Sequence, residues 1–217
     1  MSGKNPPVIH VLAGVNGAGK SSVGGAMFRR AKSVFYNPDL AAAKIRRIHP
    51  GIDAATANGH AWEIGRILLE TAIAERSAFS FETTLGGRTI AGMLESAARS
   101  GLPVNVWFVG LESVDLHVHR VAARVAKGGH PIQVSDIRRR WNRSRENLIR
   151  LMPHLIELRV FDNSAEADPA KGAPPRPVLL LELVRQRIVA PADLSGTPDW
   201  AKSILTAAMK LHQGLPL

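Results

Sequence analysis

An α/β fold, a parallel sheet with helices on both faces, is what this sequence predicts, and three observations carry the prediction. Short apolar runs alternate with longer helical stretches along most of the chain, the pattern of strand–helix–strand crossovers. The first run, Val8–Ala13, leads directly into Gly14-Val-Asn-Gly-Ala-Gly19-Lys20-Ser21, which fills G-x-x-x-x-G-K-[ST] without mismatch. The 217 residues, 45% hydrophobic and 21% charged, suffice for one well-buried domain and are few for two. The predicted class is a P-loop NTPase/kinase-like parallel sheet covered by helices. Its core runs over 1–164 with a helical lid at about 113–150, and a C-terminal extension, 165–217, packs on the same domain.

The elements follow in order. After the strand Val8–Ala13 and the P-loop, a helix is expected over about Lys20–Lys32, then a short strand Ser33–Tyr36 and a helix from Asp39 to about His49. The stretch Ala54–Arg76 is amphipathic, with Ile64, Ile67, Leu68 and Ala72 on one helical face, which reads as its core face. Strand Phe79–Glu82 ends before a Gly86-Gly87 break, and helix Arg88–Arg99 and strand Val104–Val109 come next. From Ser113 to Arg150 the chain is basic and helical, broken by Gly128-Gly129-His130-Pro131, as two helices around a flexible tip would be. Strand Leu155–Phe161 runs into Asp162-Asn163-Ser164, and the proline-rich, charged Asp168–Pro177 marks the expected end of the core. Beyond it, Val178–Val184 reads as a strand, paired with Arg187–Ala190. Pro198–Leu211 reads as a helix with Thr197 as cap and Pro198 at its first position.

Composition narrows the partners. A formal charge of +10 favours anions. With 5% aromatic residues and Tyr36 the only tyrosine, the stacking platforms of single-strand binders are poorly supplied, so nucleic acid is not favoured over a phosphorylated small molecule. No apolar run approaches the roughly eighteen residues of a membrane span, and the absence of cysteine suits a reducing cytoplasm. A soluble cytoplasmic protein is expected. The eight histidines make no convincing metal site, since His117 and His119 would diverge on a helix and His60 with Glu63 reads as a surface pair.

The P-loop implies ATP and Mg²⁺. Backbone amides around Gly14, Asn16, Gly17, Ala18 and Gly19 cradle phosphates, the Lys20 ammonium reaches the same oxygens, and Ser21, with Ser22 beside it, offers a hydroxyl for the metal. Ligands of such sheets bind past the carboxyl ends of strands, so the residues there are the candidates. Asn37-Pro38-Asp39 follows the second strand, and Asp39 is the candidate general base of a kinase, though it reads equally as the cap of a helix beginning at Leu40. Glu82, at the end of the third strand with Thr83 and Thr84, fits substrate binding or outer-sphere Mg²⁺ contact, with Asn37 and Arg88 as further substrate-binding candidates, against the plainer reading of a Glu82 that simply pairs with Arg88. Arg120 and Arg124 share a helical face before the glycine break, and Arg138, Arg139, Arg140, Arg143 and Arg145 follow it. A lid carrying such arginines would close over ATP and offset transition-state charge, whereas for most of the later five a solvated basic face is the ordinary reading. His130 is a candidate lid contact to substrate, and Asn163 a candidate contact to the nucleobase.

Taken together, these residues resemble the zeta-toxin family of P-loop kinases, in particular its chromosomally encoded branch. The resemblance runs from about Val8 to Ser164: the P-loop through Ser22, Asn37-Pro-Asp39, Phe79-Ser-Phe81-Glu82-Thr83-Thr84, Arg120-Val-Ala-Ala-Arg124-Val, Gly128-Gly129-His130, the helix Arg138 to Leu148, and Asp162-Asn-Ser164. It implies ATP-dependent phosphorylation of a hydroxyl on a UDP-N-acetylglucosamine-like nucleotide sugar, with Asp39 as base, Lys20 and Ser21 as phosphate and Mg²⁺ ligands, and Glu82 with Thr83 at the substrate. It also implies an antitoxin partner that covers the nucleotide site. Family toxins carry a second arginine near the lid tip, where this chain has Lys127, so that role passes to Arg124, Lys127 or a later arginine. The alternative readings are a polynucleotide kinase, which the charge favours, and an ATPase switch without acceptor. The switch is disfavoured by the lack of a Walker B aspartate.

Overall fold

Strand β1, Ile9–Ala13, is apolar on both faces because it runs through the middle of the sheet, and Ile9, Val11, Leu12 and Ala13 are fully buried. The computed structural model describes residues 7–20, 23–24, 35–165 and 176–217. The predicted helix over Lys20–Lys32 therefore lies largely outside the described residues, as do Ser21 and Ser22, the start of the second strand, and most of the 168–177 segment. Helical backbone is described at Lys20 and at 23–24.

The remaining elements are β2 (Phe35–Tyr36), α1 (Pro38–Ile48), α2 (Ala54–Ala74), β3 (Phe79–Thr83), α3 (Arg88–Arg99), β4 (Val104–Gly110), α4 (Val114–Ala126), α5 (Val134–Leu151), a 3₁₀ turn at Met152–His154, β5 (Glu157–Asp162), β6 (Val178–Val184), β7 (Arg187–Ala190) and α6 (Asp199–His212). The strands form one sheet in the order β2-β3-β1-β4-β5-β6-β7. From β2 to β5 all neighbours are parallel, and β6 and β7 add antiparallel. The sheet is thus mixed, because β6 and β7 are joined by a tight turn through Arg185 and Gln186, both with positive φ, rather than by a helical crossover. β1 lies between β3 and β4, which brings Ala13 level with both Thr83 and Phe108 and opens a crevice at their carboxyl ends.

Three expectations from the sequence are corrected. The buried face of α2 is Ala57, Ala61, Gly65, Leu69 and Ala72, while Ile64, Ile67 and Leu68 stay exposed. Close approach decides this: a Cβ on Gly65 would sit 2.7 Å from the ring of Tyr36, whose hydroxyl donates to the Ala61 carbonyl. Secondly, the core does not end before the 168–177 segment. Leu181 and Leu183 of β6 and Trp200, Ile204, Leu205 and Ala208 of α6 belong to the main apolar cluster with Phe108, Val106 and Leu158. Thirdly, Pro198 is itself the N-cap of α6, and the Thr197 hydroxyl donates instead to the Leu194 carbonyl.

Candidate active site

The P-loop takes its shape from glycines where no other residue fits. Gly14, Gly17 and Gly19 have φ of 146°, 84° and 75°, in the range an L side chain rarely adopts. A Cβ on Gly14 would also lie 2.3 Å from the Val109 carbonyl, and one on Gly17 2.7 Å from the His117 carbonyl, so the loop is threaded between β4 and α4. The nearly buried Lys20 donates from Nζ to the Gly14 carbonyl at 2.8 Å and pairs with Glu82 Oε1 at 3.3 Å. Glu82 Oε2 accepts from Asn37 Nδ2 at 2.9 Å. The Glu82 carboxylate, costly to bury alone, is therefore tied on one oxygen to the P-loop lysine and on the other to Asn37 just past β2. It does not pair with Arg88, which is exposed and outside the cavity described below.

Asn37 also caps α1, its Oδ1 accepting from Leu40 N at 3.1 Å. The cap position is filled two residues before Asp39, which leaves the Asp39 carboxylate half-exposed in the first turn and facing the lid. There its oxygens lie 3.7 Å from an Arg124 nitrogen and 4.0 Å from His130 Nε2. Arg124 also donates to the His130 carbonyl at 3.1 Å, and a Cβ on Gly129 would meet the Arg124 side chain at 2.8 Å. The Gly128-Gly129 tip thus folds back on Arg124 and delivers His130 to Asp39. Burial holds the His130 imidazole below its ordinary pKa; Asp39 opposes this, while Arg124, Arg46 and Arg140 add to it.

Asp39 and His130 share a cavity of about 400 Å³ with Lys20 and Glu82. Its floor is Asn16, Lys20, Glu82, Thr83 and Thr84, and its lid side is His130, Ile132, Arg139, Arg140 and Arg143. The far wall is Asn58, Trp62 and Arg66 of α2, none of them singled out by the sequence. Their signal was there, an indole and an amide on the face opposite Ile67, but it was hidden by the expectation that the bulkier residues faced inward. Of the five later arginines, Arg140 stands apart. It donates to Asn16 Oδ1 of the P-loop at 2.7 Å, and burial lowers its pKa. Arg143 lines the cavity with no carboxylate partner among the described residues. Arg145 turns away, stacking over Trp141 at 3.7 Å and donating to the Trp200 carbonyl, and Arg138 pairs with Asp115 on the surface. Ser144 and Asn147 anchor α5 by donating to the carbonyls of Thr84 and Leu85, both at 2.8 Å.

Arg120 and Asn163 are both engaged by other parts of the chain. Arg120 donates to the carbonyls of Asn163, Ser164 and Ala165 at 2.8, 3.1 and 3.3 Å, in the loop after β5. Asn163 is nearly buried: its side-chain amide donates to the Ala18 carbonyl at 2.9 Å, its backbone N–H donates to the Gly110 carbonyl at 3.0 Å, and its own carbonyl is the one Arg120 holds. Among the described residues no group of three or more His, Cys, Asp or Glu is arranged to hold a metal, and no helix is long and apolar enough to cross a membrane. The cradle fits a triphosphate: the loop turns on three positive-φ glycines and carries an ammonium, with a carboxylate beside it.

The family model for zeta toxin matches residues 1–168. The chain belongs to the zeta-toxin family. The match spans the P-loop, the Asn37–Asp39 turn, β3 and the whole lid hairpin. An uncharacterized protein of Haemophilus influenzae is 30% identical over 128 residues, which is 59% of this chain and 88% of that protein. Among solved structures, the fold is shared with a complex of AvrRxo1-ORF1 and AvrRxo1-ORF2 with ATP, at TM-score 0.64 and 12% identity over 95% of this chain and 64% of that one. The PezAT chromosomal toxin–antitoxin system of Streptococcus pneumoniae shares it at TM-score 0.53 and 14% identity, over 99% of this chain and 88% of that one. The chain thus spans just under two thirds of the AvrRxo1 chain it matches. Zeta-toxin membership and this P-loop kinase-type fold agree with the class expected from the sequence.

Proposed function

We propose that this zeta-toxin family member transfers the γ-phosphoryl group of ATP to a hydroxyl of an anionic small molecule of the nucleotide-sugar class. The observation that carries the reading is that Asp39, free of any capping duty, shares a cavity with His130 and the P-loop lysine and lies 3.7 Å from an Arg124 nitrogen. Lys20 holds the phosphate oxygens once its contacts to Gly14 and Glu82 are exchanged for ATP. Ser21 of the P-loop pattern would serve as protein ligand to Mg²⁺, which would supply charge neutralisation at the phosphates. Asn37 and Glu82 orient the acceptor hydroxyl, with Thr83 and Thr84 beside them. As the new P–O bond forms, Asp39 takes the hydroxyl proton and ADP leaves. Arg124 and Arg140 offset charge on the transferring group. Arg143, without a carboxylate partner among the described residues, and the Trp62 indole suit an acceptor with its own phosphate and a flat base. Arg88 is left without a role at this site.

A partner protein that covers the site in the manner of an antitoxin fits the family, and a cytoplasmic setting fits the substrates. The test is transfer of label from γ-labelled ATP to a panel of uridine-diphosphate sugars, nicotinamide and adenine nucleotides, and short RNA and DNA. Label on a nucleotide sugar that disappears in Lys20→Ala and Asp39→Asn is the expected result. Label on polynucleotide ends alone would replace this acceptor with nucleic acid, which the excess of positive charge would favour.

A further inference from the structure

His117 and Asn163 stand behind the phosphate loop, outside the cavity, and neither belongs to the P-loop pattern. His117, on α4, is 1% exposed, and its Nδ1 lies 2.9 Å from the Asn16 carbonyl oxygen. A carbonyl only accepts, so Nδ1 carries the proton and Nε2 the lone pair. Burial pushes the imidazole pKa down to about 4, which keeps the ring in this neutral form at neutral pH. Nε2 has no hydrogen-bond partner among the described residues, so the bond to Asn16 is the polar contact that orients the ring.

A trans peptide is planar, with its C=O and N–H pointing to opposite sides. Holding the Asn16 carbonyl toward His117 therefore turns the Gly17 N–H away from α4, and holding the Ala18 carbonyl toward Asn163 does the same for the Gly19 N–H. Neither of these two amides has a partner among the described residues, whereas the intervening Ala18 N–H is taken by the Val15 carbonyl. Open, converging amides are what a phosphate needs, and they are costly to hold open without support. Arg120 closes the circuit. It lies three residues after His117 on α4 and donates to the Asn163 carbonyl, so the bracing runs from Asn16 through α4 to the loop after β5 and back to Ala18.

We propose that His117 and Asn163 are positioning residues that hold the phosphate loop in its nucleotide-binding form, with Arg120 bracing Asn163 rather than meeting the transferred phosphoryl group. The inference rests on the loop being the ATP site. Its test compares two isosteres in the full chain: the amide nitrogen of asparagine falls where Nδ1 stands, and that of glutamine where Nε2 stands. MgATP and magnesium tripolyphosphate are titrated calorimetrically into the wild type, His117→Asn and His117→Gln. Both ligands are expected to bind His117→Asn within about threefold of wild type and His117→Gln about tenfold more weakly, with Asn163→Ala weakened similarly. Equal affinities for the asparagine and glutamine variants would overturn this inference while leaving the ATP site standing, as would a loss confined to MgATP. Failure of the wild type itself to bind MgATP would overturn both.

Discussion

Asp39 is available for chemistry because Asn37, two residues earlier, takes the helix cap. Aspartate and asparagine cap about equally well, so the sequence around Pro38 left both readings open, and the backbone of α1 chose between them. Replacing Asp39 with Asn should slow phosphoryl transfer by about 10²- to 10⁴-fold, the span typical of a lost general base, while MgATP affinity changes little. A parallel loss of ATP affinity would instead make Asp39 a nucleotide ligand. The two arginines of α5 at the cavity should separate kinetically: Arg140→Ala, at the P-loop, is expected to lower kcat, and Arg143→Ala to raise KM for the acceptor. Steady-state rates against both substrates check this. His117 makes a pH prediction. Its folded-state pKa of about 4 lies below the ordinary 6.5, so the unfolded chain binds the proton first. Stability is full above about pH 6.5 and falls by about 3 kcal/mol as the pH drops to 4. Urea midpoints for the wild type should therefore decline more steeply between pH 7 and 4.5 than those of His117→Asn, in which the titrating ring is gone.

The same helix can be gained or lost on one glycine. In α2, Gly65 meets the Tyr36 ring at 2.7 Å, while Gly59 has nothing within 4 Å. Gly59→Ala should stabilise the protein by about 0.5–1 kcal/mol through helix propensity alone. Gly65→Ala should destabilise it by about 1–3 kcal/mol by overpacking, and should disturb Asn37, which directly follows Tyr36. Thermal melts of the two single variants decide it. This helix is also where reading by periodicity failed. Ile64, Ile67 and Leu68 do share a face, but the close approach of Tyr36 selects the row of Ala57, Ala61, Gly65 and Ala72, with Leu69 the one large side chain buried beside them. The elements that were legible, β1, β3, β4 and the α4–α5 pair, have a single apolar solution. In β1 four of five residues are fully buried, so no alternative face exists. The cavity wall at Asn58, Trp62 and Arg66 went unread for the same reason that α2 did.

At the scale of the molecule, the tail is part of the domain. Trp200 of α6 lies so close to β4 that a Cβ on Gly110 would meet its ring at 2.3 Å, and it packs with Phe108 in the main cluster. Trp200→Ala should cost about 3–5 kcal/mol, as for other large buried aromatics, with a midpoint shift in urea and an unchanged slope. A chain ending at Ser164 should fail to fold cooperatively, because it lacks the strand that pairs with β5 and the helix that covers it.

What the sequence determined by itself is whatever local chemistry makes unique. Only glycines can take the backbone of Gly14, Gly17 and Gly19, only a lysine there serves the phosphates, and the order of strands and helices follows from their periodicity. What the tertiary structure decided is which of several locally equivalent groups was used: Asn37 rather than Asp39 for the cap, Arg140 rather than Arg138 for the P-loop, and the small face of α2 rather than the large one. Arg120 and Asn163 are likewise tied to the Asn163 and Ala18 carbonyls. Apart from the local cap, these choices depend on partners 25 to 145 residues away along the chain, and such contacts carry no periodic signal because they exist only once the sheet has brought their elements together.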